Sequence, residues 1–567
     1  MIMPSSNYEK SISRLLYVGT PAITLFVIAG PVGDPVNVTK LFLLGVIGTG
    51  LLFLLIFLRK TLFTRERALF SSSIVAFILI SLITNFTSPA PFNLTFYGAN
   101  GRNTGFLAYF FFSIFALAGL ALNRMENFKK LIYGFFFAGV VNILYCLWAW
   151  QIGDFIPWNN IYGQILGTFG NPNFIGAFLG MVIVGFTAQA LQPNLKVTFR
   201  ILIVGLSLVA FLEILASKAI QGLVVTFGGL AIVVFYWLRS RVSSKIILPT
   251  YVFLVGLLGT IAALGALQKG PLASIIYKRS VSLRGSYWDA GIQMGRDNLL
   301  TGVGMDAYGN NYRRYRSLNA FTDMPGPETV SNAAHNVVID IFAFGGLPLL
   351  LSYLLMIGVT LTSIVRFAKR NKHFDFMFVS MASVWICYQV QSLISINQIG
   401  LAIWGWLLSG ALVAYEISDR SAPLVAKKNK DSKVHVSEID DLKGNMSALV
   451  GMVVGVLIAV PPLAADMKWL GSLRSQNLDK ILSALEPSYF NPTDSARMVA
   501  AVTGLQSNKL IKEALDVARQ GVTYNPDFTD AWKMLYYIPT ASETEKKLAK
   551  ENLIRLDPLN PQWKELP

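Results

Sequence analysis

Residues 198–216, TFRILIVGLSLVAFLEILA, and residues 219–238, AIQGLVVTFGGLAIVVFYWL, are two apolar runs separated only by Ser217 and Lys218. A helix of about 20 mostly apolar residues crosses the hydrocarbon core of a bilayer. Lipid offers backbone groups no hydrogen-bond partner, so a crossing segment of this kind closes its bonds within itself, as a helix. Two polar residues between the runs leave room only for a tight reversal. The same criterion applied outward gives about thirteen spans, near 12–30, 40–58, 68–86, 105–122, 129–151, 173–191, 198–216, 219–238, 246–266, 336–365, 375–395, 398–416 and 446–464. Composition agrees: 53% of the residues are hydrophobic, 14% are charged, and the mean hydropathy is +0.51. Soluble chains carry roughly 25% charged residues. The fold class is therefore an all-α polytopic membrane protein of about 13 transmembrane helices, with a small helical C-terminal domain.

The net charge of +16 is spread over short loops. That pattern reads as cytoplasmic loops rich in Lys and Arg and not as a nucleic-acid face. Arg59, Lys60, Arg65 and Arg67 share one side of the span count with Arg124, Lys129 and Lys130. Lys196 and Arg200, then Arg239, Arg241 and Lys245, then Arg366, Lys369, Arg370 and Lys372 fall there too. So does a basic linker, 417–445, with Lys427, Lys428, Lys430 and Lys433. The rule puts the N-terminus inside and, after an odd number of spans, the C-terminus outside. Lys10 and Arg14 precede the first apolar stretch without a small-residue cleavage site, which reads as a retained span.

The chain divides into spans one to nine (1–266), a long extracytoplasmic loop (267–334), spans ten to twelve (335–416), the linker (417–445), span thirteen (446–464) and an extracytoplasmic tail (465–567). In the tail, Leu510, Ile511, Ala514, Leu515 and Ala518 keep helical spacing. Pro526 and Pro558 close similar patterns at an interval close to that of tetratricopeptide helix pairs.

Ionisable groups at a membrane are costly and mark function. The long loop holds eight Lys or Arg against five Asp or Glu, a cationic lining suited to a phosphate or pyrophosphate. Arg102, Lys218 and Arg284 are the candidate anion ligands. Lys40 is a further cation on that side, whereas Arg313, Arg314 and Arg316 read as solvated surface or headgroup contacts. His335 is the only histidine expected outside, since His373 and His435 fall in cytoplasmic segments. A neutral imidazole where the loop meets the tenth span could take a proton from an attacking hydroxyl; the bland reading is an interfacial hydrogen-bonding residue. The loop carboxylates Asp289, Asp297, Asp306, Asp323 and Glu328 form no Asp-x-Asp pair, which argues against metal-dependent glycosyl transfer. Gly302-Val303-Gly304 is too short for a nucleotide fingerprint. Cys146 and Cys387 lie in apolar runs and read as small core residues.

Taken in order, these segments resemble the O-antigen ligase and O-antigen polymerase superfamily, in its branch with a tetratricopeptide-like tail. Gly98, Arg102 and Gly105 are similar to its Gly…Arg…Gly element, and Gly170-Asn171-Pro172-Asn173 to its Gly-Asn-Pro-Asn element. Ser217-Lys218, Leu283-Arg284 with Trp288, Gly302-Val303-Gly304, Ala334-His335-Asn336, Gly345-Gly346-Leu347 and Gln389-Val390-Gln391-Ser392 follow in the family's order. The resemblance covers roughly residues 85–415. It implies a GT-C-like membrane glycosyltransferase of a bacterial cytoplasmic (inner) membrane, with no cofactor and no metal. Such an enzyme moves a glycan from an undecaprenyl-diphosphate carrier to a hydroxyl of a glycolipid, glycan or protein acceptor, with inversion. By the same resemblance His335 is catalytic, as general base or acceptor-orienting group. Arg284 and Lys218 hold the diphosphate, Lys218 standing where many members have Arg. Arg102 is a further diphosphate ligand, and Gly170, Asn171, Pro172 and Asn173 form a structural motif near the site. The tail carries none of these motifs and suits binding a protein partner or positioning the acceptor. The competing readings are a polymerase of carrier-linked repeat units, a protein O-oligosaccharyltransferase and, in a different class, a polysaccharide or lipid transporter.

Overall fold

The computed structural model describes residues 7–271, 273–276, 279–428 and 438–567. Lys430, Lys433 and His435, named above, and Lys278 of the long loop lie outside the described residues. Helices and no named strand make up the described residues. Among the described residues, ten helices are long and apolar enough to cross a membrane: Asn37–Phe57, Ala68–Thr87, Met125–Gln151, Pro172–Ala190, Val197–Ala216, Ile220–Arg241, Ile247–Ala266, Val337–Arg370, Ile399–Ser421 and Leu442–Ser475. The remaining expected spans correspond to shorter pieces. Phe106–Leu120 has 15 residues and Phe376–Ser392 has 17. The first is divided among Asn7–Arg14, the π-turn Leu15–Gly19 and Thr20–Leu25.

Ile399–Ser421 is the axis of the bundle, its apolar window wholly buried, whereas the window of Ile247–Ala266 buries nothing in the protein. Hydrophobicity cannot distinguish a lipid neighbour from a protein one, so small residues decide which helices meet. A Cβ on Gly410 would stand 1.8 Å from the Ala116 carbonyl oxygen, and one on Gly119 would stand 2.4 Å from that of Leu407. Phe106–Leu120 therefore lies backbone to backbone against the axis. Glycines 45 and 455 seat Leu442–Ser475 on Asn37–Phe57 in the same way.

Lys40, buried in Asn37–Phe57, donates from Nζ to the carbonyls of Ile23 (3.2 Å), Thr24 (2.5 Å) and Phe26 (3.0 Å). These are the orphan acceptors where the short Thr20–Leu25 helix stops. The sequence-level exception to the charge rule is thus a C-cap.

The tail pairs Ser495–Ser507 with Ile511–Tyr524, and Thr529–Tyr537 with Glu543–Leu556, around its own apolar core. It is locked to the segment 308–328. Arg316, fully buried, pairs with Asp557 (2.6 Å), which also faces Arg313 (3.6 Å), while Arg314 meets Asp527 (3.3 Å). These three arginines are fastened to the tail, contrary to the expectation of solvated or headgroup-bound side chains. Sequence spacing could not show this, because their partners lie more than two hundred positions away.

Candidate functional site

At the bundle end that carries the tail, the loops 98–105, 167–173, 302–306 and 331–336 converge. Each is shaped by backbone that few residues tolerate. Asn103, Asp306 and His335 hold positive φ, between 53° and 56°, as does Lys218 at the turn between two spans, and Gly170 holds 67° in the loop 167–173. For non-glycine residues this conformation costs about 1–3 kcal/mol and persists only where the surroundings over-determine it.

For His335 the surroundings are clear. Asn336 caps Val337–Arg370 by accepting from the Val338 and Ile339 amides (3.0 and 3.2 Å), and Asp340 accepts from the Ala334 amide (2.7 Å). The residues on both sides of the histidine are thereby fixed. Its ring lies 5.7 Å from that of Tyr287.

Further along the same helix, the run breaks at Gly345 and Gly346. The carbonyls of Ala343 and Phe344 accept from the amides of Val303 (2.9 Å) and Gly304 (3.0 Å). A Cβ on Gly302 would meet the Phe344 carbonyl carbon at 2.3 Å, and one on Gly346 the Leu299 oxygen at 2.2 Å. Two glycine motifs some forty residues apart in sequence are therefore one backbone crossing. It fixes the long loop against the helix that presents His335.

Arg284 comes from Arg279–Asp297, which packs on Val337–Arg370. Arg284 and His335 line one cavity of about 590 Å³. Gly170, Asn171 and Asn173 line it too. Asn171 accepts from the Asn173 amide (2.9 Å) and donates to the Tyr162 hydroxyl (3.1 Å), with Pro172 at the first turn of its helix. Residues the sequence reading did not single out complete the wall: Asp34, Asn37, Trp158, Tyr162, Gln221 and Tyr287. The one signal for Asp34 was its place in Gly33-Asp34-Pro35, a turn ahead of a span. Gln221 Oε1 is buried and has no hydrogen-bond partner.

Arg102 and Lys218 are not in this wall. Arg102 pairs with buried Asp306 (2.7 Å) and donates to the Asn332 carbonyl, tying three of the loops together behind the cavity. Lys218 is exposed at the reversal between two spans, three residues before Gln221.

The electrostatics are asymmetric. Arg284 is half-buried and has no ion-pair partner among the described residues; burial draws its pKa down, and a guanidinium stays charged regardless. Burial, then the Arg284 and Arg102 charges, lower the His335 pKa to about 4, so its imidazole is neutral at pH 7. Burial raises the Asp34 carboxyl above its usual range. An unpaired cation and a neutral base share one cavity lined by amides and aromatic rings. That space can hold an anionic group at one wall and take a proton at another.

Residues 202–354 match the O-antigen ligase family. The match includes Lys218, Gln221, Arg284, Asp306 and His335, together with the glycine crossing, and ends before the tail. No curated protein matches the chain.

Proposed function

We propose, from a membrane protein whose residues 202–354 are an O-antigen ligase domain, that the chain transfers a glycan from an undecaprenyl-diphosphate carrier to an acceptor hydroxyl. The coarser statement, a membrane enzyme of glycan transfer, follows from the family and the apolar helices. The finer reading is supported by one observation above the others: unpaired Arg284 and neutral His335 line the same cavity.

The acceptor oxygen attacks the anomeric carbon as its proton passes to the His335 imidazole. The bond from that carbon to the diphosphate oxygen breaks, and its electron pair leaves with the diphosphate. Charge growing on the leaving group is met by Arg284, a fixed cation that needs no reorganisation at the moment of reaction. One displacement inverts the anomeric centre. Trp158, Tyr162 and Tyr287 supply rings for sugar faces.

Arg284→Ala is expected to weaken binding of the lipid-linked donor as well as turnover, each by about tenfold or more, the order of a lost charge-assisted contact. Arg284→Lys should recover only part, since a point charge replaces a planar fork. Equilibrium binding of donor to purified protein, measured beside single-turnover rate, checks this. Unchanged donor affinity in Arg284→Ala would remove the diphosphate contact.

The same reading places the site and the tail on the outer face of a bacterial cytoplasmic membrane, with the basic loops inside. Asn319 and Ser507 are exposed, and both native cysteines are buried. Asn319→Cys and Ser507→Cys should react with a membrane-impermeant maleimide in intact spheroplasts. Labelling of either only after lysis reverses the orientation.

A further inference from the structure

A second cavity, of about 380 Å³, lies between the tail and the membrane body. That is within the range of roughly 300–1,000 Å³ usual for small-ligand sites. It backs directly onto the His335 cavity. Asn37 and Gly101 line the first space, while their chain neighbours Val38 and Asn100 line the second. The two spaces adjoin there, where the Asn37 side-chain amide donates to the Gly101 carbonyl (2.7 Å).

The lining mixes amides and hydroxyls with apolar side chains and a few ionised ones. Asn100, Asn103 and Asn332 line it from the body, and Thr493, Ser495 and Asn525 from the tail. Its ionic groups are already satisfied. Arg497 pairs with Asp466 (3.1 Å), Asp306 with Arg102 (2.7 Å) and Asp530 with Arg313 (3.4 Å). Asp494 accepts from the amides of Ala496 (2.8 Å) and Arg497 (3.1 Å). What remains is a set of amides and hydroxyls beside small apolar side chains and the rings of Tyr97, Tyr524 and Phe528. Asn103 is 4% exposed, and its Oδ1 has no hydrogen-bond partner. A buried acceptor of this kind is costly unless a ligand or water supplies the donor.

Paired-off charges disfavour a diphosphate, and the amides and carboxylates among the lining residues disfavour a lipid tail. Amides, hydroxyls and flanking rings match a polyhydroxylated, uncharged molecule. We propose that this cavity binds an uncharged sugar segment of the acceptor glycan and presents its terminal hydroxyl past Gly101 to His335. The proposal rests on the glycan-transfer reading and names its acceptor class. The tail, on this view, is one jaw of the acceptor site.

Ala496 lines the cavity from an exposed position on the tail. The full-length Ala496→Cys protein in nanodiscs, whose native cysteines are both buried, reports occupancy through its rate of maleimide labelling. The probe is a set of short neutral oligosaccharides released from the surface polysaccharide of the producing cells. They should slow labelling in a saturable way, and should leave the labelling of Ser507→Cys unchanged. In Ala496→Trp, the acceptor KM should rise by about tenfold or more, with donor affinity retained. Absence of protection at every chain length, or an unchanged acceptor KM in Ala496→Trp, overturns the sugar site. Protection in a protein that transfers no glycan upholds the sugar site and overturns the enzymatic reading. Transfer without protection does the reverse.

Discussion

His335→Ala lowers turnover by about 100-fold or more, the usual scale for removing a general base, while donor binding changes little. The expectation follows from where the ring sits. It lines the cavity that holds Arg284, its backbone is held in a left-handed conformation by the Asn336 cap and the Asp340–Ala334 bond, and it is neutral at pH 7. A base with a pKa near 4 is weak, and the cause of its weakness is informative: beyond burial, the Arg284 and Arg102 charges hold it down. On the proposed reading, a bound diphosphate would offset those charges and make the imidazole a stronger base once the donor is in place. The sign for pH dependence is then fixed. Activity needs the neutral ring and is lost as pH falls through its pKa. In kcat/KM, which reports the free enzyme, the acid limb belongs well below 6.5; in kcat, which reports the loaded enzyme, it belongs higher. Coincident limbs would sever His335 from the donor's charge, and wild-type turnover in His335→Ala would leave the ring as packing alone.

Asp557→Ala should release the tail. Asp557 and Arg316 are both fully buried, and Arg313 leans on the same carboxylate. Removing one partner of a buried ion pair leaves charge without compensation in a poorly solvated place, at about 3–5 kcal/mol. Arg316 keeps its bond to the Pro327 carbonyl (2.6 Å), which does not neutralise it. The tail has its own apolar core, so the expected outcome is loss of docking and not unfolding of the helices themselves. Limited proteolysis should cut the 308–328 segment or the tail boundary in Asp557→Ala and spare the wild type. Replacing Arg316 by Met in the same protein should restore part of the resistance, because the orphaned charge is gone. Equal resistance of Asp557→Ala and wild type would show that the pair does not hold the tail. A second link runs through Asp466, which accepts from the Gly33 and Asp34 amides (2.6 and 2.9 Å) and pairs with Arg497. Asp34 lines the His335 cavity, so the tail is tied to the wall of the site as well as to the loop.

The sequence by itself determined the class of the molecule and the type of its elements. About 20 apolar residues suffice to specify a membrane helix, since in lipid each such segment satisfies its own backbone. The reading of 198–216 and 219–238 therefore matches Val197–Ala216 and Ile220–Arg241 to within a few residues. The motifs read in order include those within residues 202–354, which match the O-antigen ligase family, and they marked His335, Arg284, Gly170, Asn171 and Asn173, which line one cavity. Periodicity could not supply the partners. Lys40 became a C-cap, Arg102 a tie between loops, and Arg313, Arg314 and Arg316 a clamp on the tail, while Asp34 and Gln221 entered the cavity wall unannounced. Local hydrogen bonding and solvation are read within a few residues of chain. Whether a charge meets solvent, a carbonyl or an opposite charge depends on contacts beyond that range, from 14 positions away at Lys40 to 241 at Arg316, and only the tertiary structure decides those.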